Sequence, residues 1–298
     1  MKKSKYVTST FMGGGYFSNQ FFKYLTLFTL AEDYDLKIQT PEWIGQRIFN
    51  IPVSSIDTEI EYTPISEGRD PDDICGYHPA HSKIISQGEK FKEINFDVAP
   101  DCNTFYHTSW YGRHKEKILD HCKFKSDLFD DIKKEIEALK NKISCDKIIT
   151  IHARLGEDYQ AKWKFPADAY VSAAKFLMDY YQMQGFKNPK IFICTDRKEK
   201  AQSIFSQFDP IFLNDHDVKL NVKWKKGYKG SLDFLPDYFL LTLSDCVLAS
   251  DSTFAYSACM FNQIENAVFF RPSQKNTGLI PFDPWNTWLL DFRTWRFQ

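Results

Sequence analysis

The sequence predicts an α/β protein organised on parallel sheet. Short runs at 148–151, 190–194, 246–249 and 267–270 are almost continuously apolar, the pattern of strands buried on both faces rather than the alternation of a half-solvated strand. Helical patterns separate these runs, giving the crossover lengths that parallel strands require. In such sheets ligands bind beyond the carboxyl ends of the strands. Function should therefore be sought in the residues at those ends.

The elements follow in order. Residues 6–10 predict a strand, Gly13-Gly14-Gly15 a turn, and Phe21, Leu25, Phe28 and Leu30 one apolar face of a helix. A second short strand is expected at 36–39, then a helix opened by Pro41, a residue suited to a first helical turn. Residues 50–103 mix Pro, Gly and Asp punctuation with no sustained period. At 126–143 the pattern is clear: Leu128, Ile132, Ile136, Leu139 and Ile143 share one face, with lysines and acids opposite. Beyond it come the strand 148–151, a polar loop, a helix at 166–181, the strand 190–194 and a helix after Asp196. A short third strand at 221–224, a helix at 232–244, the strand 246–249, a helix from Ser252 and a last strand at 267–270 complete the chain.

Bulk properties narrow the partners. The 298 residues suffice for one large or two ordinary domains, and 43% hydrophobic content supports sizeable cores. A net charge of −1 gives no global field for nucleic acid or an anionic membrane, so any anion site must be local. The seven cysteines are odd in number, form no C-x-x-C pair, and include Cys194 and Cys246 inside apolar strands. That usage points to a reducing, cytoplasmic setting. The apolar stretch after the basic start is too short for a signal-peptide core, and no window reads as a membrane span.

Three strand ends carry chemistry. After the first comes His152-Ala153-Arg154-Leu155-Gly156-Glu157-Asp158. The planar guanidinium of Arg154 can fork onto a phosphate and stays charged at any working pH, while Gly156 allows close backbone approach. The plain alternative is a surface ion pair with a neighbouring acid. After the second comes Thr195-Asp196-Arg197, where Thr or Asp could also serve only as a helix cap. The third, Ala249-Ser250-Asp251-Ser252-Thr253-Phe254, sets hydroxyls and backbone N–H groups at a helix start, a ready anion site. One cap needs one hydroxyl, and here there are several. Asp237, beside Pro236, lies in the first turn of the preceding helix. Together these residues suit two adjacent phosphates, the shape of a sugar nucleotide.

His152 to Asp158 resembles the H-x-R-x-G-x-D or H-x-R-R-G-D element of fucosyltransferases: the α1,2 and α1,6 enzymes and the protein O-fucosyltransferases. Gly15-Tyr16-Phe17-Ser18-Asn19-Gln20 resembles the G-x-F/L-G-N-Q element of that superfamily. Asp237, Asp245 and Ser252 reproduce its D-x7-D-x6-S-[ST] spacing, and Ser252 to Ala258 is similar to the S-[ST]-[FY]-S-W-W-A stretch of α1,2 enzymes. Residues of about 45–145 carry none of the likeness.

The resemblance implies a GT-B-like α/β fold: two Rossmann-like domains with parallel sheets facing across a cleft. Residues 1–145 would form the acceptor-side domain and 146–298 the nucleotide-sugar domain, with the last segment packing back on the first. It implies an inverting transfer of fucose from GDP-fucose to a glycan hydroxyl, with no divalent metal or other cofactor. Arg154 would neutralise the β-phosphate, Ser252 and Thr253 would bond the diphosphate, and Asp237 would read guanine. His152, Asp196 and Phe254 would line the nucleotide site, and Gly15 and Asn19 would reach it from the first domain. Ser18 replaces the usual glycine, Leu155 a second arginine, and Tyr256 and Ser257 the tryptophans. The residues also fit the chemistry: fixed donors stabilise charge on a departing diphosphate, and Glu157 or Asp158 could accept the acceptor's proton. Two rival readings are a transferase using another GDP- or UDP-sugar, and a non-catalytic glycan- or nucleotide-binding protein.

Other motifs weigh less. Asp70-Pro71-Asp72 has the D-x-D form but follows no hydrophobic strand; Cys75, His78 and His81 lack a second ligand pair for zinc. Lys223-Trp224-Lys225-Lys226 reads as solvated surface, and Tyr106, His107, Trp110 and Tyr111 as packing or a sugar-stacking group.

Overall fold

A computed structural model of the chain describes residues 5–10, 12, 16–52, 54–65, 88–98, 107–156, 165–216, 218, 232–272 and 278–289. It divides into two compact units, Met1–Lys125 with Trp285–Gln298, and Ser126–Pro284.

The first unit contains β1 (Tyr6–Thr8), α1 (Phe17–Tyr34), β2 (Lys37–Gln39), β3 (Thr63–Ile65), β4 (Phe96–Val98) and α2 (Lys115–His121). Its sheet has the order β2-β1-β4-β3, and all three pairings are parallel. Helix α1 is apolar on nearly every side, with Phe21, Phe22, Leu25, Leu27 and Leu30 fully buried. It has no side-chain N-cap. A cap contributes about 1 kcal/mol, whereas each fully buried Phe or Leu contributes about 1.5–3 kcal/mol, so burial holds this helix. Its end is a left-handed Asp35, φ 56°, whose N–H returns to the Ala31 carbonyl.

The expected helix at Pro41 does not form there. Residues 41–44 stay irregular and a single turn begins at Gly45, where the Trp43 ring lies so close that a Cβ would meet it at 2.1 Å. The Gln46 side chain accepts from the Trp43 N–H at 3.1 Å, fixing the loop instead. The closing segment joins the first unit through Thr108, whose N–H and hydroxyl donate to the Thr287 carbonyl at 2.8 and 3.0 Å.

The second unit contains α3 (Ser126–Lys142), β5 (Lys147–Ala153), α4 (Ala167–Met183), β6 (Pro189–Thr195), α5 (Lys198–Ile204), α6 (Leu235–Thr242), β7 (Cys246–Leu248), α7 (Thr253–Met260), β8 (Val268–Pro272) and β9 (Leu279–Pro281). Helix α3 belongs to this unit, where it buries its apolar face, with Phe129 edge-on to Phe239 of α6 at 5.1 Å. The sheet order is β6-β5-β7-β8-β9, parallel throughout except the last pair. Strand β5 is followed by β6 on one side and later flanked by β7 on the other. The carboxyl ends of β5 and β7 thus form a topological switch point, where such sheets open a crevice for ligands. The short strand expected at 221–224 lies outside the described residues. No helix among the described residues is long and apolar enough to cross a membrane.

Candidate functional site

The switch point is built from three βα junctions. His152, the penultimate residue of β5, is 7% exposed, and its Nδ1 lies 2.6 Å from the Ser250 hydroxyl, which follows β7. The Phe254 ring packs against the imidazole at 5.4 Å between centroids. Burial, aided by the Arg154 charge and opposed by Asp196, pushes the imidazole pKa down to about 4. His152 is therefore neutral at physiological pH.

Just past β5, Arg154 Nη1 pairs with Asp196 Oδ2 at 2.8 Å, both side chains being half-buried. Asp196 does more than balance charge. Its Oδ1 accepts from the Leu155 N–H at 2.8 Å and its Oδ2 from the Gly156 N–H at 3.1 Å. Thr195 donates to the Ala153 carbonyl at 2.7 Å. The loop that carries Arg154 is thereby tied to the end of β6 by four contacts. The ion pair weighed in the sequence is present, and it immobilises the guanidinium at the sheet's carboxyl edge.

At the third junction Ser252 is the N-cap of α7, its hydroxyl accepting from the Phe254 N–H at 3.3 Å. Thr253 opens the helix. Asp251 is buried and accepts from the Tyr256 hydroxyl at 3.3 Å, which in turn accepts from Arg271 Nη1 at 3.3 Å. This network satisfies a carboxylate beside the helix start that would otherwise repel an anion.

Asp237 stands in the first turn of α6, with its carbonyl accepting from Cys194 Sγ of β6 at 3.5 Å, so it too lies at the carboxyl end of the sheet. Burial raises its carboxyl pKa to about 7. Its carboxylate has no hydrogen bond or ion pair among the described residues. Asp245 belongs to the opposite edge: it accepts from Lys147 Nζ at 2.7 Å and the Ile148 N–H at 2.9 Å, joining β5 to the start of β7. The two acids of the spacing motif thus have different surroundings, and only Asp237 joins the site edge.

His152, Arg154, Asp196, Asp237, Ser252, Thr253 and Phe254 are therefore gathered at one edge of one sheet. Asn19 sits in the first turn of α1 in the other unit, its N–H bonded to the Tyr16 carbonyl at 3.0 Å. Gly15, Glu157 and Asp158 lie outside the described residues, as do the D-x-D segment, Cys75, His78, His81, Tyr106 and the 223–226 segment. Among the described residues no group of three or more His, Cys, Asp or Glu side chains could hold a metal ion. Sequence reasoning missed Ser250 as a partner of His152. Its only signal was its place two residues past a buried strand.

The molecule thus has two α/β units built on parallel-dominated sheets, with the chemistry-bearing residues of one of them collected at its switch point. That fold is the one found in GT-B fucosyltransferases. No protein-family model matches the chain, and no curated protein matches it in sequence. Solved structures do match over 94% of its length. They include NodZ α-1,6-fucosyltransferase soaked with GDP-fucose, at TM-score 0.51 and 15% identity over 99% of that chain. NodZ from Bradyrhizobium matches at TM-score 0.51 and 16% identity over 99% of that chain. A mutant of Arabidopsis thaliana FUT1 in complex with GDP matches at TM-score 0.53 and 10% identity over 74% of that chain. At such identities the likeness is one of fold.

Proposed function

We propose that this chain is an inverting, metal-independent glycosyltransferase that moves fucose from GDP-fucose to a hydroxyl of a glycan acceptor. The observation that carries the reading is the pinned Arg154, held by Asp196 at the switch point beside the His152–Ser250 pair. The structural neighbours soaked with GDP-fucose or bound to GDP support the choice of donor.

The acceptor oxygen attacks the anomeric carbon as the bond from that carbon to the β-phosphate oxygen breaks. GDP departs with the electron pair, and positive charge builds on the sugar ring. Arg154 and the N–H groups at the start of α7 meet the developing phosphate charge without reorganising, the arrangement that lowers such barriers most. The acceptor's proton goes to a carboxylate on the loop after β5, for which Glu157 and Asp158 are the candidates. Asp237 supplies a carboxylate for the guanine N1 and N2 hydrogens, which uracil lacks.

The test is acceptor-stimulated release of GDP from GDP-fucose across a glycan array, run beside other GDP- and UDP-sugars. The reading expects turnover with GDP-fucose above all other donors. Preferential turnover of a UDP-sugar, or nucleotide binding without transfer to any acceptor, would replace it with one of the rival readings.

A further inference from the structure

We infer that Ser250 is a positioning residue that fixes His152 as a neutral imidazole with its proton on Nε2. The inference rests on the proposed nucleotide site only for what that N–H then meets. Its basis is a question of which atom donates across the 2.6 Å contact between Ser250 Oγ and His152 Nδ1.

Ser250 is 1% exposed, and His152 is its hydroxyl's one partner among the described residues. If Nδ1 carried the proton, Ser250 would accept and its own O–H would be left buried without an acceptor. A buried donor left unmade costs more than an unused lone pair, since hydroxyl oxygens have acceptor capacity to spare. The hydroxyl therefore donates to Nδ1, and the ring proton resides on Nε2. Burial and the neighbouring Arg154 keep the ring from taking a second proton. Phe254 holds the ring plane from one side. Nε2 has no hydrogen-bond partner among the described residues, so a neutral donor is presented at the carboxyl end of β5. It suits an acceptor oxygen of the nucleotide, and because it is uncharged its strength does not vary with pH above about 6.

The experiment reads the tautomer and the affinity separately. Nitrogen-15 spectra of histidine-labelled protein, with His152 assigned by His152→Gln, report which ring nitrogen bears hydrogen. Wild type is expected to show the Nε2–H form, Ser250→Ala a mixture of both forms, and Ser250→Thr the wild-type form again. In calorimetry Ser250→Ala is expected to weaken GDP binding about tenfold, the loss of one buried hydrogen-bond constraint, with kcat changed less than KM for the donor and with recovery in Ser250→Thr. An Nδ1–H form in wild type, or an unchanged tautomer in Ser250→Ala, overturns the inference. So does wild-type GDP affinity in Ser250→Ala with the tautomer mixed. Should wild type bind no GDP at all, the proposed function falls, while the spectra still decide the role of Ser250. If Ser250→Ala does not fold, the wild-type and Ser250→Thr spectra decide it alone.

Discussion

The two units solve one structural problem in parallel ways. In each, the first strand lies inside a parallel sheet, and a carboxylate from a neighbouring strand ties down the loop that leaves it. In the first unit Asp97 of β4 accepts from the Thr10 N–H at 2.9 Å and its hydroxyl at 2.5 Å. In the second, Asp196 at the end of β6 accepts from the Leu155 and Gly156 N–H groups and from Arg154. The clamps come from different neighbours, Asp97 from β4 across the sheet from β2 and Asp196 from the end of β6, the strand that directly follows β5, and they differ in charge. Among the described residues Asp97 accepts only from neutral groups and its charge is not balanced, whereas Asp196 is paired with a guanidinium. A bound diphosphate requires the second arrangement, because repulsion from an uncompensated carboxylate would oppose it. The comparison separates a clamp that shapes backbone from one that also aims a charge.

Removing the charged clamp should have the largest effect. Asp196→Ala frees the Arg154 loop, and because misplacing a catalytic group by about 1 Å costs about hundredfold, kcat for GDP-fucose should fall by that order. Circular dichroism should remain native. Loss of stability with unchanged kcat would instead make the second clamp equivalent to the first.

Next comes pH. Asp237 ionises in the ligand-free protein near pH 7, against an ordinary value of 3.8. Its protonated form is a poor acceptor for guanine N–H groups, so GDP affinity should increase about tenfold from pH 6 to pH 8, as a one-site titration near 7 requires. The stability sign is opposite. A raised folded-state pKa means the folded chain holds the proton more tightly, so this group's contribution is full below its ordinary pKa and is lost as pH rises through about 7. Asp237→Asn should flatten both trends, measured by calorimetry and by ligand-free melting between pH 5 and pH 8.

Asp97→Ala should have the smallest effect on function. It removes two contacts from a half-buried carboxylate, for about 1 kcal/mol of stability. The denaturant midpoint should fall while GDP affinity stays within about twofold, since the loop it holds carries no phosphate-binding charge among its described residues.

The sequence made β5 and β6 of the second unit legible because these seven-residue strands are long and buried enough to read as apolar runs. The heptapeptide β5, with six of its residues buried, is the clearest. The first sheet was half hidden. Strands β3 and β4 have three residues each, and Thr63-Pro64-Ile65 and Phe96-Asp97-Val98 are too short to carry a period. Helix α3 was legible as a helix, but where its apolar face packs is tertiary information that no spacing encodes. At the site, strand ends located His152, Arg154, Asp196 and Ser252. The partnerships were not legible: Asp196 reads as a cap until the Leu155 and Gly156 amides are seen to converge on it, and Ser250 is one serine among several until His152 faces it.

Turnover of GDP-fucose by Arg154→Ala tests the central claim most directly. With a native fold and melting temperature, the variant should release GDP at less than about a hundredth of the wild-type rate, the scale expected when one charge-stabilising donor is removed. A rate near wild type in that variant would contradict the account.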